Sequence, residues 1–168
     1  MSTVHIRPGT AADAPLVLAL FDEAVVWLVA RGQPDQWGTV PWSQRPSAVG
    51  HVKAWSHGPG LRIAEDPDAT ALGALVLGAR PPHVEPIDEP ERYIEALVTS
   101  RRHAGRGIGA LLVAAAFEEA RAAGAAVLRV DCWAGAPALV AWYERQGFVR
   151  SGTFDVGGWI GQVFTMRL

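Results

Sequence analysis

The stretch from Tyr93 to Leu112 constrains this chain most. An alternating run, Tyr93-Ile94-Glu95-Ala96-Leu97-Val98-Thr99, passes through Ser100-Arg101-Arg102-His103-Ala104 into Gly105-Arg106-Gly107-Ile108-Gly109-Ala110-Leu111-Leu112. Alternation predicts a strand, and Gly105–Gly109 is expected to open an apolar helix that runs to about Ala123, stopped by Gly124. Glycines between them let backbone approach a ligand closely. The first amides of such a helix lack internal partners and stand at the positive end of its dipole. A phosphate or pyrophosphate site is the chemistry this order suits. Arg101, Arg102 and Arg106 add positive charge around it.

Two other readings compete for these residues. A plain glycine-rich turn before a core helix needs no ligand. A dinucleotide fold is suggested by Gly105-x-Gly107-x-x-Ala110, with Asp131 lying 21 residues beyond Ala110. In that fingerprint, however, the first glycine sits at the strand end, whereas five residues separate Thr99 from Gly105 here. No matching strand–helix–strand unit precedes it either.

The rest of the chain reads as one mixed α/β domain spanning residues 1–168. Val4 and Ile6 mark a first strand ending near Pro8-Gly9. Thr10 with Asp13 resembles a capping box before a helix that Gly32 stops. A short helix is expected over Ser47–His57, and strands over Leu61–Glu65 and Ala71–Ala79. After the helix of the glycine segment come a strand at Val127–Cys132, a helix at Pro137–Gln146 and two strands from Phe148 onward.

With 49% apolar and 19% charged residues the chain has the composition of a folded domain. A net charge of −2 argues against general nucleic-acid binding, which needs a basic face. The single cysteine, Cys132, makes neither an internal disulfide nor a cysteine zinc site, so a reducing, cytoplasmic setting and no metal are expected. The opening Met1-Ser2-Thr3-Val4-His5-Ile6-Arg7 lacks a signal-peptide pattern. Apolar runs such as Leu111–Phe117 are too short to span a membrane.

Two motifs then carry a resemblance. Arg102-x-x-Gly105-x-Gly107 is similar to the Q/R-x-x-G-x-G/A signature of the GNAT superfamily of N-acetyltransferases. Ala141-Trp142-Tyr143-Glu144-Arg145-Gln146-Gly147-Phe148 resembles its closing A-x-x-Y-E-x-x-G-F motif. The two lie in the right order, about forty residues apart, with a strand between them. The resemblance implies the superfamily fold, a central mixed, mostly antiparallel sheet flanked by helices. It also implies acetyl-CoA as co-substrate.

Residue by residue, the resemblance implies that Leu97, Val98 and Thr99 pair with the pantetheine arm. One of their amides would stabilise negative charge developing on the thioester oxygen. The backbone of His103, Ala104, Gly105, Arg106, Gly107, Ile108, Gly109 and Ala110 would hold the pyrophosphate, with Arg102 shaping the loop. Tyr143 matches the position that protonates the departing thiolate. An asparagine often precedes the tyrosine helix in this superfamily, and Ala136 stands in its place.

An amine protonated near neutral pH must lose a proton before it attacks. Glu95 shares a strand face with Leu97 and Thr99 by period-two alternation and is the first candidate base; Asp131 is the second. His103 and Asp155 are weaker choices, and a water chain is a further route. Cys132 reads as a core thiol.

Seven tryptophans crowd the chain. Trp37 and Trp133 lie in segments, Gly32-x-x-x-Gln36-Trp37 and Asp131-Cys132-Trp133, that resemble a bacterial subgroup of the superfamily, and both are candidates to line an acceptor site. The acceptor expected is a small-molecule or peptide amine transferred to directly, with neither nucleic acid nor membrane as partner. A homodimer through edge strands stays open. A non-catalytic acyl-CoA sensor and a protein-interaction module on the same fold are the alternatives.

Overall fold

Alternating and continuous apolar runs set the seven strands of the computed structural model, which describes residues 3–168. Met1 and Ser2 of the N-terminal reading lie outside the described residues. The strands are β1 (His5–Pro8), β2 (Leu61–Glu65), β3 (Ala71–Gly78), β4 (Glu91–Thr99), β5 (Val127–Trp133), β6 (Val149–Val156) and β7 (Trp159–Arg167). They form one sheet in the order β1-β2-β3-β4-β5-β7-β6. The β1–β2, β2–β3, β5–β7 and β6–β7 pairs run antiparallel and β4–β5 runs parallel. A parallel neighbour needs a long crossover, which the helix between β4 and β5 supplies. The helices are α1 (Ala14–Ala30), α2 (Pro46–His57), α3 (Ile108–Ala122) and α4 (Pro137–Arg145). The sheet is therefore mixed, mostly antiparallel and flanked by helices. Among the described residues no helix is long and apolar enough to cross a membrane.

Strand and helix boundaries depart from the sequence expectations at two places that matter. β4 begins at Glu91 rather than Tyr93, and the glycine segment stays outside its helix until Ile108. Gly105 and Gly107 have φ of 80° and 71°. Left-handed backbone cannot extend a right-handed helix.

By its contacts the chain divides into two compact units, Met1–Val76 with Ala96–Leu112, and Leu77–Glu95 with Val113–Leu168. In the first, α1 buries Val17, Leu20, Phe21, Ala24, Val25 and Leu28, a stripe at helical spacing. It ends where Gly32 takes φ 70° and the amides of Gly32 and Gln33 bond back to Val29 and Leu28. Phe21 stacks on Trp42 at 3.9 Å, and Val52, Leu61, Ile63 and Val98 complete the cluster. In the second unit, Tyr93, Leu128 and Phe164 are fully buried.

The capping box expected at Thr10 forms. The Thr10 amide donates to Asp13 Oδ2 at 2.7 Å, and Arg7 donates to both Asp13 oxygens at 2.9 Å. Arg7 also donates to Glu65 at 2.9 Å, tying β1, β2 and the start of α1 together. The Arg7 hydrogen bonds hold the Asp13 carboxyl below its usual range. A depressed carboxyl adds stability above its unfolded value of about 3.9, and that stability is lost as pH falls through the folded value. Asp13→Ala is expected to cost about 2 kcal/mol at pH 7 and much less near pH 2.5. Urea unfolding at the two pH values checks it; an equal cost at both would contradict the charge-based account.

Candidate active site

Strand β4 and the segment after it carry most of the predicted site. The parallel β4–β5 ladder runs from Glu91–Val127 to Ile94–Val130 and ends there, although β4 continues to Thr99 and β5 to Trp133. Leu97 and Thr99 are half-buried, whereas Val98 points into the cluster with α1.

Beyond Thr99, Ala104, Gly105, Arg106 and Gly107 are exposed, and Ile108 anchors the start of α3 at 4% exposure. Within α3 the first bonded amide is that of Leu111, to Gly107 O at 3.1 Å. The amides of Ile108, Gly109 and Ala110 precede it and have no partner a helical turn back. A Cβ built on Gly105 or Gly107 would meet no atom within 4 Å, so backbone conformation, not crowding, selects glycine there. The Thr70 amide, and then that of Asp68, hold the Asp66 carboxyl below its usual range, with a smaller contribution from the charge of Arg106.

The first two arginines differ in their surroundings. The Arg101 guanidinium stacks on Trp27 at 3.8 Å, with Arg31 on the same ring at 4.6 Å. Burial, then the charge of Arg31, lowers the Arg101 pKa. The Arg102 side chain is exposed, while its amide donates to Glu23 Oε1 at 2.7 Å. That amide is therefore spent on the protein. Glu23 escaped the sequence reading because it lies 79 positions from its partner. His103 is half-buried in the same loop.

The second unit gathers Tyr93, Asp131, Cys132 and Tyr143. The Tyr93 hydroxyl donates to Asp131 Oδ2. Burial is the main cause raising the Asp131 carboxyl above its usual range, opposed by the Tyr93 hydrogen bond and by His83. Burial also pushes the Cys132 thiol up to about 12, as befits a core thiol rather than a nucleophile. Tyr143, 4% exposed, sits with ring centroids 5.0 Å from Trp142, 5.2 Å from Phe164 and 5.8 Å from Phe148. Burial is the main cause that raises its phenol well above the ordinary range, so it keeps its proton at neutral pH.

Glu95 is exposed on β4, and its carboxylate lies over Gly78, where any Cβ would collide with it. Asp155 accepts from the Gly158 amide at 2.7 Å, an ordinary task in the β6–β7 turn. Glu91, at the start of β4, pairs with Arg129 at 3.0 Å and Arg80 at 3.7 Å, and Glu89 just before it pairs with Arg167.

Of the tryptophans, Trp37 packs on Phe21 at 5.2 Å and edge-on to Trp42 at 6.0 Å, half in the core of the first unit. Trp133 lies over Gly135, where a Cβ would strike its ring. Ala136, 3% exposed, caps α4 with its carbonyl alone, which accepts from Leu139 and Val140 at 3.0 Å.

The family model described as acetyltransferase (GNAT) family matches residues 23–148, from Glu23 to Phe148. The chain belongs to this family. As a GNAT protein it is an acetyl-CoA-dependent N-acetyltransferase. An L-methionine sulfoximine/L-methionine sulfone acetyltransferase of Pseudomonas aeruginosa is 27% identical to it over 168 residues, with 96% of this chain and 88% of the relative covered. Among solved structures, a GNAT-family acetyltransferase from Listeria monocytogenes superposes with a TM-score of 0.72 at 17% identity, covering 98% of this chain and 95% of its own. The yncA structure from Salmonella typhimurium, described with its cofactor acetyl-CoA, gives a TM-score of 0.66 at 17% identity, covering 99% and 95%. At these identities the two structures speak for the fold. The exposed glycine loop ahead of three partnerless α3 amides fits the diphosphate of such a donor.

Proposed function

We propose that this GNAT enzyme transfers the acetyl group of acetyl-CoA to the primary amine of a small polar acceptor, by direct attack with both substrates bound, in the cytoplasm. The observation that carries this reading is the early end of the β4–β5 ladder at Ile94–Val130. Leu97–Thr99 lie beyond that ladder, and their backbone groups are offered to a pantetheine arm. When bound, acetyl-CoA supplies an activated acyl carbon and a thiolate leaving group.

The chain's residues take the remaining tasks. The Ile108, Gly109 and Ala110 amides hold the diphosphate, and an amide of Leu97–Thr99 faces the oxygen on which charge develops. Tyr143 holds the proton destined for sulfur. Glu95 receives the proton of the acceptor amine, because it is exposed on the strand face of Leu97 and Thr99 whereas Asp131 is partly buried. Tyr93 and Asp131 then brace β4 against β5.

Thiol release with acetyl-CoA and a panel of primary amines tests the proposal. L-methionine sulfoximine and L-methionine sulfone, named for the Pseudomonas relative, belong first on that panel. Turnover with at least one small amine is expected; tight CoA binding with no turnover on any amine would instead mark an acyl-CoA sensor. Glu95→Gln should lower kcat/KM for the acceptor about 100-fold at pH 7, and Asp131→Asn less than about fivefold. The reverse order would move the base to Asp131. In that case the acid limb of the pH profile should stand above the ordinary carboxylate range, since burial raises Asp131.

A further inference from the structure

The junction between β4 and the glycine loop is held from α1. Arg102 N–H donates to Glu23 Oε1 at 2.7 Å, and the Ser100 hydroxyl reaches the two Glu23 oxygens at 3.2 and 3.5 Å. Ser100 is 3% exposed, and its own amide donates to Leu72 O at 2.8 Å. One helical turn beyond Glu23, Trp27 carries the Arg101 guanidinium at 3.8 Å. Three consecutive residues are thus fixed just where the backbone leaves the strand. A carboxylate beside a segment that receives phosphates is electrostatically adverse. Its hydrogen bonds to the loop are the compensating role that the geometry offers.

We propose that Glu23 is a positioning residue for the donor loop: its carboxylate fixes the Ser100–Arg102 backbone and so sets the orientation of the amides that follow. This rests on the assignment of the glycine loop to the donor phosphates. Glu23 touches no reacting atom in this account, so its loss acts on donor binding and not on chemistry. Charge and geometry separate cleanly in two variants. Glu23→Gln keeps an acceptor oxygen and removes the charge; Glu23→Ala removes both. The Arg101–Trp27 stack and the Ser100–Leu72 bond remain in either variant, which favours a folded protein.

The experiment is calorimetry with CoA, together with steady-state kinetics and thermal unfolding, on the full chain. Glu23→Ala is expected to raise Kd for CoA and KM for acetyl-CoA about tenfold, with kcat at saturating donor within about twofold and the acceptor KM unchanged. Glu23→Gln should stay within about threefold of the unsubstituted protein in every constant. Wild-type CoA affinity in Glu23→Ala overturns the proposal, as does tighter binding in both variants, which would mean that the charge merely repels the ligand. A fall in kcat and Tm together, with KM for acetyl-CoA unmoved, also overturns it, because it marks general support of the fold. Gly107→Glu separates the two levels. If that variant retains CoA, the loop assignment fails; if it loses CoA while Glu23→Ala does not, only the role of Glu23 fails.

Discussion

Gly107→Glu is expected to remove CoA binding by more than about 100-fold while the protein stays folded. Gly107 has φ 71° immediately before α3. Left-handed backbone costs a residue with a Cβ about 1–2 kcal/mol. No atom lies within 4 Å of a Cβ built there, so crowding adds nothing to that cost. The introduced carboxylate, in contrast, would stand at the helix end where the dipole and three partnerless amides favour an anion, and would repel the donor phosphates. Gly107→Ala is the control. It carries the same backbone strain without the charge, and should lower Tm by roughly 2–8 °C with a much smaller loss of affinity. Calorimetry with CoA on both variants reads the difference. Retained affinity in the Glu variant would remove the loop from the donor site.

Tyr143→Phe is expected to lower kcat about 100-fold with little change in stability. The ring keeps its neighbours Trp142, Phe148 and Phe164, and the hydroxyl takes part in none of the hydrogen bonds among the described residues. Deleting an oxygen that bonds to nothing in the protein costs less than about 1 kcal/mol. A buried phenol held protonated has, on the proposed reading, a single task, delivery of its proton to the departing sulfur. KM for acetyl-CoA should stay within about threefold, since the diphosphate cradle is untouched. A kcat within a factor of two, measured with a working acceptor, would make Tyr143 a packing residue only. A drop in Tm matching the drop in activity would point the same way.

Most of the elements were legible in local sequence because periodicity and punctuation are local quantities. The α1 stripe from Val17 to Leu28 and its stop at Gly32 follow from helical spacing and one left-handed glycine. The strand–glycine–helix order of Tyr93–Leu112 likewise announced an anion-facing loop, because only glycine takes positive φ without penalty. The start of α3 was less legible. Gly105 and Gly107 both precede it, and their left-handed backbone, invisible as letters, postpones the helix to Ile108. The amides best placed for phosphate therefore lie at the far end of the expected stretch.

Tertiary structure alone decided how the neighbouring side chains are spent. Three arginines add charge around the glycine loop in the sequence; in the fold Arg101 lies on Trp27 and the Arg102 amide is held by Glu23. Of the two candidate bases, Asp131 is partly buried against Tyr93, 38 positions away, and Glu95 is exposed over Gly78. No local pattern encodes such pairings. They are fixed when packing closes the chain, and the free energy of each contact depends on partners brought from far along the sequence. The residue order along Tyr93–Leu112 was thus sufficient to specify a strand, a glycine loop and a helix, and with Ala141–Phe148 it carried the resemblance to GNAT acetyltransferases. How the side chains around that loop are packed and bonded was decided by the folded protein, because their partners come from distant parts of the chain.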